Sequence, residues 1–429
     1  MRLLISLSAL LISTFFVQMG IGSLRPFDAI SGQVLGFTPV EIGFLASGHF
    51  AGFLLGCIFS PILVRRAGHS RAFALMAGIA IISIIAHPIY PEATFWTAIR
   101  LLSGFSVAGC YTLIESWLQA KATNEIRGRL FSVYRIIDMS GQLMANAMIA
   151  TLTPASYISY NIIAIVMCLS ILPLALTQSK EPELPETVSY QPLFAYHVSP
   201  LAALGVVVAG LSTATIGSVG PIYALAVGLD ISQIALFLVV SIIGGMLSQF
   251  PAGLLADRLS RRVVLLALSI MASVLCMVMT LPLADMKPAG IPLVYVLSFL
   301  FGLTTFPIYS ICAAHASDFV DSRKMMTLSA SLIFFYASGA IVSPLIAGWI
   351  IAKYGAPMMF SMISAAHVTL MLYTIWRYFA RPTLPALRRY AYVPRTSMFI
   401  ASILRPRRSR NKDDHDKSSQ KPGDKDETS

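Results

Sequence analysis

Ser23-Leu-Arg-Pro-Phe-Asp-Ala29 and Ser218-Val-Gly-Pro-Ile-Tyr-Ala224 share Ser, Pro and Ala at the same three places, 195 residues apart, each inside a long apolar run. The likeness extends further along the chain. Gly36-Phe-Thr-Pro-Val-Glu-Ile42 lies over Gly228-Leu-Asp-Ile-Ser-Gln-Ile234 at an offset of 192, and Gly104, Tyr111 and Gly141 lie over Gly302, Tyr309 and Gly339 at 198. A drift of a few residues is what loop insertions produce, so the chain reads as one unit duplicated in tandem. An acidic, proline-containing segment from Gln178 to Pro200 joins the copies.

The medium in which such a unit folds follows from composition. Of 429 residues, 56% are hydrophobic and 12% charged, and the mean hydropathy is +0.74. Ordinary soluble domains carry about 25% charged residues, so the chain belongs in a bilayer. Lipid offers backbone N–H and C=O groups no partners, so each long apolar run is expected to be a helix. Twelve runs are found, at 3–24, 40–64, 72–89, 93–118, 129–152, 157–177, 200–227, 232–256, 263–283, 291–316, 326–352 and 357–378. The first lacks a small-residue cleavage site and is read as a retained helix, not a secretory signal. The expected organisation is an all-α integral membrane protein. It comprises a first six-helix bundle (1–177), a linker (178–199), a second six-helix bundle (200–378) and a basic tail (379–429). The end of the tail is expected to be disordered, and its basic middle suits an anionic lipid surface. Cys57, Cys110, Cys168, Cys276 and Cys312 all fall in apolar runs without CxxC or metal-ligand spacing. They read as buried side chains, giving neither a disulfide framework nor a metal site.

Arginine and lysine are distributed unevenly among the connections. One side holds Arg65, Arg66, Arg71, Lys121, Arg127, Arg129, Lys180, Arg258, Arg261, Arg262, Arg323, Lys324 and the basic tail; the other holds Lys287 and Lys353. Basic loops stay in the cytoplasm, so both termini are expected there, which agrees with an even span count. The net charge of +11 is accounted for by this membrane surface, and a nucleic-acid partner is not expected.

Gly253-Leu-Leu-Ala-Asp257-Arg258-Leu-Ser-Arg261-Arg262-Val-Val-Leu265, between the eighth and ninth runs, is similar to the loop signature G-x-L-x-D-R-x-G-R-R of the major facilitator superfamily, with Ser260 for the second Gly. The resemblance covers the chain except its tail. The first-half copy, Pro61-Ile-Leu-Val-Arg65-Arg66-Ala-Gly68-His-Ser-Arg71-Ala-Phe73, departs from the pattern, with Arg65 where the family has its acid. The resemblance implies a twelve-helix fold in two pseudo-symmetric bundles and a cytoplasmic gate of Arg65, Arg66, Glu125, Arg127, Arg129, Gly253, Asp257, Arg258, Arg261 and Arg262. Glu125 or Asp318 then supplies the missing negative charge of the first half. Arg100-Leu-Leu-Ser-Gly104 resembles the family's R-x-x-x-G element, whose Arg is linked to proton coupling. Ile114-Glu115-Ser116-Trp117-Leu118 with Ala122-Thr-Asn-Glu125-Ile-Arg127-Gly128-Arg129 looks like the YcaD-type branch.

A charge inside a membrane span costs several kcal/mol unless it is paired or faces water. Arg25 and Asp28 lie one helical turn apart on the first helix, and Arg135 and Asp138 repeat that spacing on the fifth. At 100° per residue, Arg100, Gly104, Tyr111 and Glu115 share one face of the fourth helix, and Arg135, Asp138, Gln142 and Asn146 share one face of the fifth. Such stripes are expected to border a hydrated cavity between the halves. In the second half Gly220, Tyr223, Ser298 and Ala313 stand where the first has Arg25, Asp28, Arg100 and Glu115. Titratable chemistry is thus concentrated in the first half. The expected substrate contacts are Arg25, Tyr111, Arg135, Gln142, Tyr223, Tyr309, His315 and Tyr336, and the expected proton-coupling groups are Asp28, Arg100, Glu115 and Asp138. Mutual neutralisation that merely ties helices together is the competing role for the Arg25/Asp28 and Arg135/Asp138 pairs. His49, His87 and His315 read as isolated helix-interface histidines, and Trp96 and Trp349 as membrane-interface anchors.

No phosphate loop, HExxH or nucleophile elbow is present, so no enzyme and no cofactor are expected. Parallel repeats that meet at a site near the membrane midplane are a transporter architecture. The sequence therefore points to a proton-coupled secondary transporter of the inner membrane, a monomer moving a small organic solute of anionic or zwitterionic character. Proton-driven export of amphipathic drugs and a non-transporting membrane sensor are the alternatives.

Overall fold

The computed structural model describes residues 2–121, 127–176, 191–281, 292–321 and 324–380. The expected linker (in part) and the tail beyond residue 380 lie outside them. The first half contains α1 (Arg2–Val34), α2 (Pro39–Ala67), α3 (His69–Ala86), α4 (Ala93–Lys121), α5 (Arg127–Ile149) and a sixth span made of α6 (Tyr157–Leu169) and α7 (Ile171–Ala175). A short helix, α8 (Phe194–Val198), precedes the second half. There the seventh span is α9 (Pro200–Ser218) with α10 (Gly220–Ala226), followed by α11 (Ile231–Arg258) and α12 (Arg261–Val278). The tenth span is α13 (Leu293–Thr305) with α14 (Pro307–Ser317), and α15 (Met325–Tyr354) and α16 (Met359–Ala380) complete the bundle. Among the described residues, eleven spans are long and apolar enough to cross a membrane. The twelfth, α5, has the length but carries Arg135, Asp138, Gln142 and Asn146. Its polarity follows from its position on the central cavity.

The duplication is visible at atomic level. The second helix of each half begins with a capping box: Thr38 with Glu41 in α2, and Asp230 with Gln233 in α11. Each box is preceded by a glycine in the left-handed region, Gly36 at φ 82° and Gly228 at φ 84°, a conformation that penalises a side chain. Close helix crossings are matched too. Gly104 of α4 lies on the carbonyl of His49 in α2, and Gly302 of α13 lies on that of Ser241 in α11, leaving no room for a Cβ at either glycine.

The first helix is longer than expected, running through Pro26 to Val34 instead of ending at residue 24. Proline removes the hydrogen bond that would reach the carbonyl four residues back, and the Gln142 side chain approaches that carbonyl, Gly22 O, at 3.5 Å. Two further expectations are corrected. Trp96 is 1% exposed, with its indole N–H donating to His87 O at 2.9 Å, so it anchors a core and not the membrane interface. Cys168 is exposed and Cys57 half-buried, while Cys110, Cys276 and Cys312 are buried.

One core cluster fills the first half and continues across into the second through Ile216, Tyr223, Phe237, Phe301 and Phe360, while another, with Val206, Leu265, Ile308, Tyr309 and Leu332, belongs to the second half alone. Leu55, Ile82, Phe250 and Val274 are exposed on the outside, where lipid replaces water as their neighbour. The halves meet through α2 against α15 and α5 against α11. Ser47 Oγ donates to Ile341 O at 2.6 Å, and Gly43 and Gly348 lie against the backbones of Pro344 and Pro39. These contacts cluster at the start of α2 and toward the end of α15, on the face opposite the linker.

Candidate functional site

Between the halves lies a cavity of about 230 Å³. Tyr111 and Glu115 from the α4 stripe and Arg135, Asp138, Gln142 and Asn146 from the α5 stripe border it, joined by Gln18, Arg25, His49 and Phe50 from α1 and α2. The second half contributes Thr213, Ser241 and Tyr336 among Ile216, Leu238, Ile242, Phe306 and Ile333.

On the first-half wall Gln142, Gln18, Tyr111, Asp138 and Arg135 form a hydrogen-bonded chain. Gln142 accepts from the Gln18 amide, and Gln18 accepts from the Tyr111 hydroxyl. Tyr111 OH lies 3.1 Å from Asp138 Oδ1, and Arg135 Nη1 pairs with the other carboxylate oxygen. Glu115, 2% exposed, accepts from Tyr134 OH at 2.7 Å. Asp138 and Glu115 thus reach the cavity with their charges already partly compensated, as burial requires. Across the cavity, Thr213 Oγ1 and Tyr336 OH share a hydrogen bond of 2.7 Å. The Arg25 guanidinium lies over the Phe50 ring, 5.5 Å from its centroid, a cation–π contact.

Asp28 and Arg100 occupy a separate place. Asp28 is 2% exposed and Arg100 1%; neither borders the main cavity. Spacing along α1 makes Arg25 the nearest partner for Asp28 in sequence. Instead, Asp28 turns toward α3, α4 and α6, where His87 Nε2 stands 3.1 Å and Arg100 Nε 3.4 Å from Oδ2, and Tyr160 OH donates to Oδ1 at 3.0 Å. The Tyr160 ring stacks on His87 at 5.1 Å, and His87 Nδ1 faces Ser83 O at 2.7 Å. His87, read as isolated, is therefore part of an ion-pair cluster. Arg25, Asp28, Arg100 and Ser218 border a gap of about 10 Å³ beside it, the volume one water occupies.

Five of the eight expected substrate contacts, Arg25, Tyr111, Arg135, Gln142 and Tyr336, line the cavity. Three do not. Tyr223 is fully buried among Phe237 and Phe360, its hydroxyl without a hydrogen-bond partner among the described residues. Tyr309 packs edge-on against Tyr336 behind the cavity wall. His315 is buried near the end of α14 against Phe319. Gln18, Tyr134, His49 and Thr213 are cavity residues that spacing alone did not single out. A polar residue recurring opposite a polar stripe is the signal that finds Gln18.

At the linker face, Arg261 pairs with Asp318 and donates to Ala314 O, and the buried Arg262 donates to Arg377 O at 3.3 Å. These contacts tie α12 to α14 and α16 within the second half. Asp318 thus has a partner within the second half; its expected role beside Arg65 falls on a side chain outside the described residues. Gly253 is buried, Asp257 half-buried, and Arg66 and Arg258 exposed. Glu125 lies outside the described residues, as do the side chains of Arg65, Arg127 and Arg129.

Comparison with known proteins gives the same architecture. Residues 11–193 match the family described as Sugar (and other) transporter, and residues 202–407 match the Major Facilitator Superfamily. An uncharacterized MFS-type transporter of Enterobacter sp. strain 638 is 24% identical over 345 residues, 80% of this chain and 88% of that protein. The MFS-type transporter YcaD of Salmonella arizonae is 22% identical over 77% of this chain and 85% of its own. Among solved structures, a variant of the nucleoside transporter NupG superposes with a TM-score of 0.72 at 16% identity, over 87% of this chain and 100% of that one. A D-xylose-proton symporter gives 0.66 at 15%, over 89% and 98%. With both halves matched by family and the two-bundle architecture shared with solved transporters, the chain belongs to the major facilitator superfamily of membrane transporters, not to a class of enzymes.

Proposed function

We propose that the protein is a proton-coupled secondary active transporter of the cytoplasmic (inner) membrane, working as a monomer on a small organic solute of anionic or zwitterionic character. The observation that carries the reading is the pair of buried acids, Asp138 and Glu115, on the wall of a cavity between two repeat-related halves. A solute site where repeats meet is the arrangement from which alternating access follows by rocking one half against the other. The contacts of Ser47 with Ile341 and of Gly43 with Pro344 hold the face opposite the linker shut. Opening that face breaks them, while the cavity gains its other exit at the linker face. The arginine-rich connections support a cytoplasmic linker face. A proton lands on Asp138 or Glu115, since each touches both the cavity and a neighbour that can reorient, Arg135 with Tyr111 in one case and Tyr134 in the other. A solved neighbour described as a D-xylose-proton symporter supports coupling to protons within this fold. Asp28 and Arg100, sealed together with His87, serve to hold α1 against α3 and α4 and to set the charge beside Arg25.

The test is proton movement in proteoliposomes loaded with a pH dye. A transported solute drives acidification or alkalinisation in step with its own flux, and Asp138→Asn abolishes the proton signal. Solute flux with no proton signal in the wild type refutes the coupling.

A further inference from the structure

The hydrogen-bonded chain on the first-half wall has a direction. Gln142 Nε2 faces Gly22 O of α1 at 3.5 Å, and the Gln18 amide N–H donates to Gln142 Oε1. That leaves Gln18 Oε1 turned to the Tyr111 hydroxyl. Tyr111 therefore lies against two oxygens, Gln18 Oε1 and Asp138 Oδ1, the latter at 3.1 Å. A tyrosine hydroxyl carries one proton and can serve only one of them. Of the two oxygens, only that of Asp138 can itself take up a proton, while Oδ2 accepts from Arg135 Nη1. Every donor meets an acceptor when Asp138 Oδ1 is protonated and donates to Tyr111, Tyr111 donates to Gln18, and each amide passes the direction on toward α1.

Removing that proton reverses the series. Ionised Asp138 draws the Tyr111 proton, and Gln18 turns its N–H to the Tyr111 oxygen. Gln18 Oε1 then accepts from Gln142 Nε2, which leaves Gln142 Oε1 facing Gly22 O. Two oxygens now oppose each other where a donor met an acceptor, and burial makes that mismatch costly. Gly22 O is the carbonyl that Pro26 cannot serve, since proline has no N–H. The Gln142 amide lies hard against it: a Cβ at Gly22 would stand 3.0 Å from Nε2. Beyond Pro26, α1 continues to Val34, next to the start of α2, and packs against α10 of the second half. The last link of the series thus acts at the bend that leads α1 to the closed face.

We infer, resting on the transporter reading above, that Gln18 and Gln142 are positioning residues that carry the protonation state of Asp138 to the proline bend of α1. With the proton on, the series holds α1 to α5 and the face opposite the linker stays shut. With it off, the opposed oxygens push α1 from α5 and favour opening. The proton comes from water entering the cavity and returns to it; the amides only turn, and no proton passes through them. The charged and titratable groups around Asp138 are Arg135 and Tyr134 on its own helix and Tyr111 and Glu115 from α4, with Arg25, His49 and Tyr336 on the same cavity. From α11, packed against α5, the described cavity residues are Leu238, Ser241 and Ile242, none of them ionisable. Glu115 accepts from Tyr134 and stands outside the series, so of the two cavity acids it is Asp138 that moves α1.

The experiment uses the full-length protein in liposomes with pH as the only variable and no added solute. Spin labels at Val34 and Ala226, the ends of α1 and α10, report distance across the closed face. Infrared difference spectra report the C=O band of protonated Asp138, identified by its loss in Asp138→Asn. In the wild type the ratio of short to long distances is expected to fall about tenfold as pH rises through the titration of that band, the weight of one hydrogen bond exchanged for an unpaired contact. Asp138→Asn, whose amide N–H donates to Tyr111 at every pH, stays short throughout. Gln142→Met keeps the length of the side chain and removes both amide atoms; the Asp138 band still titrates and the thermal midpoint stays near that of the wild type, but the distance no longer follows pH. Should Gln142→Met fail to fold, the wild type and Asp138→Asn decide. A wild-type distance blind to the titration, an Asp138 band that never titrates, long distances in Asp138→Asn, or a folded Gln142→Met that follows pH as the wild type does overturns the relay. Solute flux without a proton signal beside an intact pH-dependent distance refutes the proton-coupled reading and leaves the relay standing. Solute-driven proton movement with a distance blind to pH does the reverse.

Discussion

Replacing Asp28 by asparagine keeps the size of the side chain and removes its charge. Asparagine can still accept from Tyr160 OH, now 3.0 Å from Oδ1, so about 1 kcal/mol of hydrogen bonding survives. It cannot neutralise Arg100, whose Nε is 3.4 Å away and which is 1% exposed. Removing one member of a buried pair costs about 3–5 kcal/mol, because the other charge stays in a medium that does not solvate it. Set against a net stability of roughly 5–15 kcal/mol for a folded domain, that loss is large. Asp28→Asn is expected to lower the unfolding midpoint of the purified protein substantially in the same detergent. The double substitution Asp28→Leu/Arg100→Met, which removes both charges and keeps the volume filled, recovers most of the loss. If Asp28→Asn melts with the wild type, or the double variant is worse than the single, the cluster is not the charge-balanced tie described here.

Three further substitutions probe the closed face, the core and the cavity. At Gly43, an added Cβ would stand 2.5 Å from the Pro344 carbonyl oxygen, so Gly43→Leu props open the face opposite the linker; label-to-label distances across that face increase, and unchanged distances contradict the assignment of the closed side. Tyr223→Phe removes a buried hydroxyl that has no hydrogen-bond partner among the described residues and is expected to be neutral or stabilising with transport intact. Tyr134→Phe removes the 2.7 Å bond to Glu115 and is expected to cost about 1–3 kcal/mol in a thermal melt; the opposite order of effects would refute the placement of both residues.

The duplication was legible because its marks are local: Thr38 with Glu41, Asp230 with Gln233, and the glycines Gly36 and Gly228 that precede them all act within one turn of chain. The stripes of α4 and α5 were legible because helical period places Tyr111 with Glu115, and Asp138 with Gln142, on single faces. Partners across helices were not. Asp28 has Arg25 three residues away, yet its partners His87, Arg100 and Tyr160 come from three other helices, and their positions depend on packing that no spacing encodes. Tyr223 and Tyr309 illustrate the limit of symmetry. Equivalence to first-half residues brought them forward, but an apolar second half gives Tyr223 a bed of Phe237 and Phe360 and turns Tyr309 against Tyr336.

The central claim, that one cavity opens by turns to the two faces of the membrane, is tested most directly by thiol accessibility. Cys57, Cys110, Cys168, Cys276 and Cys312 are replaced, a single cysteine is placed at Met139 or Ile242 on opposite cavity walls, and a membrane-impermeant maleimide is applied to sealed vesicles of each orientation. Labelling of both positions from both faces is the predicted result, and labelling from one face only, or from neither, would contradict it.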